Sequence, residues 1–399
     1  MAEIKEIPKD LWQRVPKEEK EKEKIVRPSL TYWQDAWRRL KKNKLAMIGL
    51  IAVIIILMMA VFGPMFSKYG YEEQRLDMAN IPHRFQIYKI SEDKFVYIHN
   101  EYMLYEVSGN GELIAKLDPE EDNMAKLYRT YNIDGKEVVL DYSLARERLK
   151  NPEITKDYEL KVDGNVVEPA KKVFNKTYWL GSDSHGRDLF VRVLYGARIS
   201  LAVAVVATLV NFFIGVFYGG ISGYFGGRVD NIMMRIVDII NTVPLILYVI
   251  LLMVVIGPGL KTIILTMGLV YWVRMARIVR GQVLSLKGQE FVLAARTLGA
   301  STWRILTRHL IPNTLGPVVV SLTMMIPNAI FTESFLSFIG LGVSAPMASW
   351  GTLASDALGG LRSYAYQLLA PSIAICITML AFNFLGDGLR DALDPRLRK

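Results

Sequence analysis

Phe291-Val-Leu-Ala-Ala-Arg-Thr-Leu-Gly-Ala-Ser-Thr-Trp-Arg-Ile-Leu-Thr-Arg-His-Leu-Ile-Pro-Asn313 is a basic polar stretch wedged between two very hydrophobic runs, and it reads as a docking surface rather than a loop. Arg296 to Leu298 end one helical pattern, Gly299 is the residue a left-handed C′ position prefers, and Ser301 is a good N-cap for the helix that follows. Two short helices therefore meet at an elbow. Pro312 is expected to stop the second of them one residue before Asn313 and the next apolar run, which pins the elbow close to a membrane surface. A partner pushing on the elbow would move a membrane helix.

The membrane itself follows from how polarity is distributed. The 399 residues are 51% hydrophobic with mean hydropathy +0.23, yet 22% are charged, so apolar and polar residues must be segregated along the chain. Uncharged runs extend over 45–67, 199–227, 239–260, 310–332 and 363–386. Each reaches at least about 20 residues, enough to cross a hydrocarbon core of roughly 30 Å as a helix. A sixth run, 262–273, leads into Arg274, Arg277 and Arg280 at helical spacing, which suggests a span from about Pro258 whose last turns leave the bilayer and snorkel. An even number of spans puts both termini on one side. Basic residues gather before the first span (Arg38, Arg39, Lys41, Lys42, Lys44), through 274–308, and at Arg396, Arg398 and Lys399, whereas the short loops opposite carry only Lys261 and Arg362. The positive-inside rule then places both termini in the cytoplasm of a multi-pass cell-membrane protein.

Topology also accounts for the net charge of +9, since no nucleic-acid recognition motif accompanies it. Cys376 is the only cysteine, so neither an intrachain disulfide nor a cysteine metal cluster is possible, and a small buried apolar side chain is expected there. The first apolar run begins too late and runs too long for a cleavable signal, so it is expected to be a retained helix. Ahead of it, 17–24 alternates Lys and Glu as a solvated tail, and Trp33 and Trp37 share one face of a basic helix ending at Lys44 that suits a bilayer interface.

Between the first and second spans lies a polar segment, 68–194, that the topology puts outside the cytoplasm. Residues 85–90 and 95–98 have strand character, 158–167 reads as a hairpin turning at Asp163-Gly164, and 140–150 suits a helix. The segment is expected to fold as a small α+β or mostly β module. Asn175-Lys-Thr177 fits a glycosylation pattern that arises often by chance, Asp118 to Asp122 lacks the spacing of a calcium loop, and His185 and Asp188 have no companions at metal-ligand spacing; a structural turn is favoured over a metal site.

The elbow's spacing resembles the EAA signature of membrane subunits of ABC importers, in which Glu-Ala-Ala is followed after three residues by Gly and after nine more by Ile, any residue and Leu-Pro. Ala294, Ala295, Gly299 and Pro312 match by position; Leu293, His309 and Ile311 depart from it. The longer run Trp179-Leu-Gly-Ser-Asp-Ser-His-Gly-Arg-Asp-Leu-Phe-Val-Arg-Val-Leu-Tyr-Gly-Ala-Arg-Ile-Ser-Leu201 is similar to the segment before the second helix in the C-type permeases of dipeptide and oligopeptide importers. Residues 33–49, 331–342, 350–351 and 386–395 carry further likeness; the first 30 residues and 68–177 carry none. The resemblance implies an all-α polytopic fold of six transmembrane helices, here with the module inserted. It also implies a permease subunit that forms a path with a second, homologous permease, takes peptide from an extracytoplasmic solute-binding protein, and docks two ATPase subunits through Ala294, Ala295, Gly299, Ser301, His309 and Pro312. The chain divides on this reading into a cytoplasmic tail with its interfacial helix (1–44), the first span (45–67), the inserted domain (68–194), a five-helix core (195–386) holding the coupling segment 286–313, and a cytoplasmic tail (387–399).

Gly215, Gly219 and Gly223 recur every four residues and mark a tight helix pair, while Pro244, Pro327 and Pro371 are expected to kink their spans. Glu333 follows 23 uncharged residues; it would line a pathway and meet a peptide amino group, or pair with Arg362 or backbone and fix packing, which is the favoured use. Asp238 and Asn241 have the same two uses. The chain has no phosphate loop, no paired-histidine zinc motif and no nucleophile elbow, so no catalytic residue, metal or cofactor is assigned to it. ATP and Mg2+ would be held by the partner subunits. The rival readings are a self-sufficient secondary transporter or channel, for which no inverted repeat is evident, a non-transporting scaffold, and a permease for nickel or another small solute.

Overall fold

Among the described residues of the computed structural model, five helices are long and apolar enough to cross a membrane: Lys44–Phe66, Leu189–Phe225, Leu260–Leu286, Thr302–Leu341 and Tyr366–Leu393. The structure describes residues 31–99, 102–149, 151 and 155–393, so the charged tail at 17–24 and the basic residues 396–399 lie outside the described residues. A sixth candidate is a bent pair. Gly227–Thr242 and Leu245–Ile256 meet the same length and composition only as a pair, bent by 82°. The kink expected at Pro244 within 239–260 is a full break, because Pro244 lacks an amide hydrogen and drives Val243 to extended backbone, at ψ 125°.

The chain opens with α1 (Tyr32–Lys42), capped at Thr31 by a reciprocal pair with Gln34. It stops at Lys42 and not at Lys44. Asn43 is extended there, and its side chain accepts from the amide of Ala46 to start α2 (Lys44–Phe62).

Among the described residues ten strands follow: β1 (Arg84–Lys89), β2 (Phe95–Ile98), β3 (Leu104–Val107), β4 (Leu113–Lys116), β5 (Glu121–Asn123), β6 (Tyr128–Ile133), β7 (Lys136–Asp141), β8 (Glu159–Val162), β9 (Asn165–Val166) and β10 (Lys171–Phe174). They form two five-stranded antiparallel sheets, ordered β10-β1-β2-β3-β4 and β5-β6-β7-β8-β9. The sheets share a core in which Tyr88, Val96, Ile98 and Leu104 meet Tyr131, Val138, Leu140 and Leu160. The first sheet is buried on its other face too, where Phe85, Ile87, Tyr97 and Tyr105 pack on Ile81 and Tyr178. Burial on both sides explains why β2 shows no alternation. Asp163 and Gly164 both have positive φ, as the two-residue turn between β8 and β9 requires, and Asp134-Gly135 makes the same turn between β6 and β7. Leu140 and Asp141 belong to β7, in register with Leu160 and Glu159, so the helix expected over 140–150 is only α3 (Ser143–Arg148). Strands β1 and β10 pair from Arg84 with Phe174 to Ile87 with Lys171, which sets the first and last strands of the module side by side.

Beyond the strands come α4 (Leu189–Phe225), α5 (Gly227–Thr242), α6 (Leu245–Ile256), α7 (Leu260–Val270), α8 (Trp272–Leu286), α9 (Glu290–Thr297), α10 (Thr302–Arg304), α11 (Ile311–Leu336), α12 (Trp350–Asp356) and α13 (Tyr366–Leu393). Helix α4 starts ten residues ahead of the uncharged run because its arginines find partners: Asp188 caps it, Arg192 is paired with Asp183, and Arg198 donates to the carbonyls of Ala60 and Val61 at the end of α2. A Cβ placed on Gly215 would lie 2.5 Å from Met275 Cβ, and one on Gly219 would lie 2.2 Å from the carbonyl oxygen of Ala276. The glycine stripe therefore lets α4 and α8 pack backbone to backbone. Cys376 faces outward from α13, contrary to the buried position expected of it, because the apolar outer face of a membrane helix needs no cover.

Pro312 does not stop the helix. Thr302–Leu341 runs continuously because residues Ile305–Leu310 form a π-helical turn, in which the amide of Ile311 reaches the carbonyl of Leu306 five residues back. The wider turn makes room for the ring, and Asn313 Nδ2 donates to the carbonyl of His309.

Candidate functional site

The elbow is built by backbone geometry. Helix α9 ends with the amide of Ala300 bonded to the carbonyl of Ala295 and that of Gly299 to Arg296, the two-bond closure that requires a left-handed residue at Gly299, whose φ is +76°. Ser301 then accepts from the amide of Arg304 and starts α10. Val292, Ala295, Ile305, Leu306 and Leu310 form the underside, packed on Val216, Met275, Val279 and Val283 of α4 and α8. The other side is bare: Ala294 and Gly299 are exposed, with Leu293, Leu298 and Trp303 beside them, and Leu298 is 87% exposed. His309 is half-buried and acts through its carbonyl. Sequence reading found the small residues of the elbow and missed its apolar tip, for which leucines flanking the alanines and the glycine were the available signal.

Asp238 and Asn241 lie elsewhere, on α5. Arg277 Nη2 donates to Asp238 at 2.8 Å between two exposed side chains, and Asn241 is exposed. The stronger bond on this helix was not anticipated. Asp230 is buried, accepts two 2.6 Å bonds from Arg280, and takes the hydroxyl of Ser222. Of the three arginines expected to snorkel, Arg277 and Arg280 instead fasten α5 to α8, Arg277 through the exposed Asp238 and Arg280 through the buried Asp230, which takes both of its donors.

Glu333 is fully buried and is paired with neither Arg362, which is exposed, nor backbone. Ser200 and Ser337 each donate to it at 2.8 Å, and Ser334 at 3.5 Å. Ser200 Oγ accepts the amide of Trp350, and Ser349 donates to Ser337. The carboxyl thus sits at the centre of a hydroxyl cluster that attaches α12 to α4 and α11. By contrast, the outward face of α11 shows Asn313, Ser321 and Asn328, each bonded to a carbonyl of its own helix. Past Lys44 at its start, the outward face of α2 shows apolar side chains such as Ile48, Ile51, Ile55 and Met58.

The module is seated by polar contacts. Tyr366 Oη donates to the carbonyls of Ile81 and Ser182, and Gln367 Nε2 to Asn80 Oδ1 and the Ser182 carbonyl, all within 3.1 Å. Asp183 accepts Arg187 Nε at 2.7 Å, Arg192 Nη1 at 2.5 Å and the amides of His185 and Arg187. Burial pushes the Asp183 carboxyl up, but Arg192 and Arg187 outweigh it and hold it below the ordinary carboxylate range. His185 and Asp188 belong to this turn, and Asn175 is buried with its amide on the Pro82 carbonyl, which leaves no exposed acceptor for a glycan. Among the described residues no three His, Cys, Asp or Glu side chains are grouped to hold a metal ion.

A chain of membrane helices with a bare elbow and a seated module defines a class, and comparison with known proteins agrees. Residues 211–399 match the family described as binding-protein-dependent transport system inner membrane component, and residues 31–82 match the N-terminal TM domain of oligopeptide transport permease C. The chain belongs to this family, that of the C-type permease subunits of ABC importers. Among its relatives, the oligopeptide transport system permease protein OppC of Bacillus subtilis (strain 168) is 41% identical over 396 residues, 99% of this chain and 100% of that protein. The dipeptide transport system permease protein DppC of the same organism is 40% identical, covering 99% of this chain and 95% of that protein. OppC of Escherichia coli (strain K12) is 50% identical over 221 residues, 55% of this chain and 73% of its own length. The two B. subtilis matches run nearly the full length and so pass through 68–194. Among solved structures, an inward-facing MetNI methionine ABC transporter aligns with a TM-score of 0.44 at 20% identity, over 52% of this chain and 96% of that one.

Proposed function

We propose that this permease subunit carries oligopeptides or dipeptides inward, forming the translocation path with a second homologous permease. Two ATPase subunits holding ATP and Mg2+ dock on the elbow through Ala294, Gly299 and the apolar tip at Leu293, Leu298 and Trp303. Both termini are cytoplasmic, and 68–194 lies outside the cytoplasm, where an extracytoplasmic solute-binding protein delivers the peptide. The observation that carries the substrate reading is the 41% identity to an oligopeptide permease over the whole of both chains. The elbow supports the coupling. Its underside is packed on α4 and α8 while its tip is exposed, so a push on the tip is passed to two membrane helices instead of being absorbed in a loop. Polar residues along the outward face of α11, where α2 past Lys44 is apolar, suit a face turned to a watery path.

Deleting the chromosomal copy and measuring uptake of labelled di- and pentapeptides tests the reading, with the chain purified from membranes to identify its partners. Loss of peptide uptake, restored by the wild-type chain, and recovery of ATPase subunits with it are expected. Unchanged peptide uptake with lost uptake of nickel or another small solute would replace the substrate. Recovery of the chain alone, active without ATP, would overturn the importer mechanism.

A further inference from the structure

We propose that Arg192 is a two-position link between the seat of the inserted module and helix α12, held on Asp183 in this structure and on Asp356 in a second arrangement. Three observations carry it. Asp183 is compensated twice over, by Arg187 Nε at 2.7 Å and Arg192 Nη1 at 2.5 Å, with two amides besides, so it keeps a partner if Arg192 leaves. Arg192 is 3% exposed, yet among the described residues its Nε has no hydrogen-bond partner, an arrangement that a buried guanidinium does not hold at its best. Its Nη2 already lies 3.7 Å from a carboxylate oxygen of Asp356, outside hydrogen-bond range and within that of an ion pair.

The two sides of the link differ in how they are held, although Ala354 and Ala357, beside Asp356, are buried too. Asp183 is fixed in the seat through its own backbone and through Ser182, which receives Tyr366 and Gln367 of α13. Helix α12 is fixed at its start, where the indole of Trp350 donates to the Val193 carbonyl at 2.9 Å and Ser349 caps the first turn. Its far end carries Asp356, which is exposed, and is followed by Gly359 and Gly360. A small swing of that end would bring Asp356 onto the free edge of the guanidinium. As Asp356 takes that edge the guanidinium turns off Asp183, which keeps Arg187, and the two arginine positions, one per carboxylate, are the discrete states that coupling between a module and a helix needs. Transport then alternates the position of α12 with that of Arg192; this rests on the importer reading above.

The test uses the assembled transporter in nanodiscs, with spin labels at Lys176→Cys on the seat and Leu358→Cys beyond Asp356, in a Cys376→Ser background. Distances are read nucleotide-free and after ATP trapping. Two distances whose proportions change with nucleotide are expected, with Asp356→Asn abolishing the second and Asp356→Glu restoring it. Uptake in Asp356→Asn should fall at least about fivefold at unchanged membrane abundance. A single unchanging Lys176–Leu358 distance in the wild type, which needs no variant, overturns the link, as does an Asp356→Asn transporter whose two distances persist. A second pair, Leu298→Cys with Leu358→Cys, separates the failures. If it responds to ATP while the first pair does not, only the link falls; if neither responds, the importer mechanism falls with it.

Discussion

Gly299 and Glu333 show what single residues decide. A Cβ on Gly299 meets nothing within 4 Å, so any cost of substitution there comes from its φ of +76° alone. Gly299→Asn should transport nearly as wild type, because asparagine tolerates the left-handed region, whereas Gly299→Val should lose most uptake and peptide-stimulated ATP hydrolysis together at normal membrane abundance. Equal behaviour of the two variants would mean that the turn is not the transmitting feature. For Glu333, removing the acceptor strands the hydroxyls of Ser200 and Ser337 in the core. Glu333→Ala should lower stability by about 1–3 kcal/mol, seen as a reduced melting midpoint in detergent, and Glu333→Gln, which keeps an acceptor, by clearly less. A carboxylate that served only a passing substrate would leave both midpoints unchanged. Its burial was not readable in advance: isolation in an apolar run marked Glu333 as important, but the partners come from residues 133 positions away and from the next helical turn.

At the scale of elements, the glycine stripe gives the sharpest contrast. Gly219→Ala puts a methyl 2.2 Å from a backbone carbonyl that cannot step aside, while at Gly220 the nearest atom is the flexible end of Leu306 at 3.3 Å. Gly219→Ala should cost about 1–3 kcal/mol and reduce the amount of folded protein in the membrane, and Gly220→Ala should be silent by the same melting assay. That pairing was legible because a period of four repeats on one helix face. So were β1, β2 and the hairpin at Asp163-Gly164, whose signals are local. What was not legible depended on distant partners or on backbone adjustment. The π turn that carries Pro312 through leaves no composition signal, the start of α4 needed the acceptors of Arg192 and Arg198, and the strand ending at Asp141 was hidden because its register with β8 lies outside its own sequence.

For the molecule as a whole, the orientation is open to direct measurement. Cysteines at Glu120 and at Gly299, in a Cys376→Ser background needed because Cys376 is exposed, should react differently with an impermeant thiol reagent in intact cells. Labelling at Glu120 alone is expected, and labelling from outside at Gly299 would invert the topology. The strands can be removed with the polar contacts of the seat kept, because Asn80, Ile81 and Ser182 lie outside them, although Ile81 and Tyr178 then lose the apolar cover of the first sheet. Replacing residues 85–173 with a short glycine linker should leave the membrane abundance near wild type, lower the melting midpoint modestly through the uncovered Ile81 and Tyr178, and impair uptake. Undiminished uptake would show the module to be dispensable for transport.

The pairing of Arg84 with Phe174 means that the chain leaves the helical body and returns to it through a doorway the width of one non-hydrogen-bonded strand pair, about 4.5 Å. Any autonomously folding protein with neighbouring termini fits that doorway. A fluorescent reporter spliced between the two residues would tether a probe to the transporter without lengthening a membrane loop, and the same graft offers a handle for immobilising the complex in one orientation on a surface.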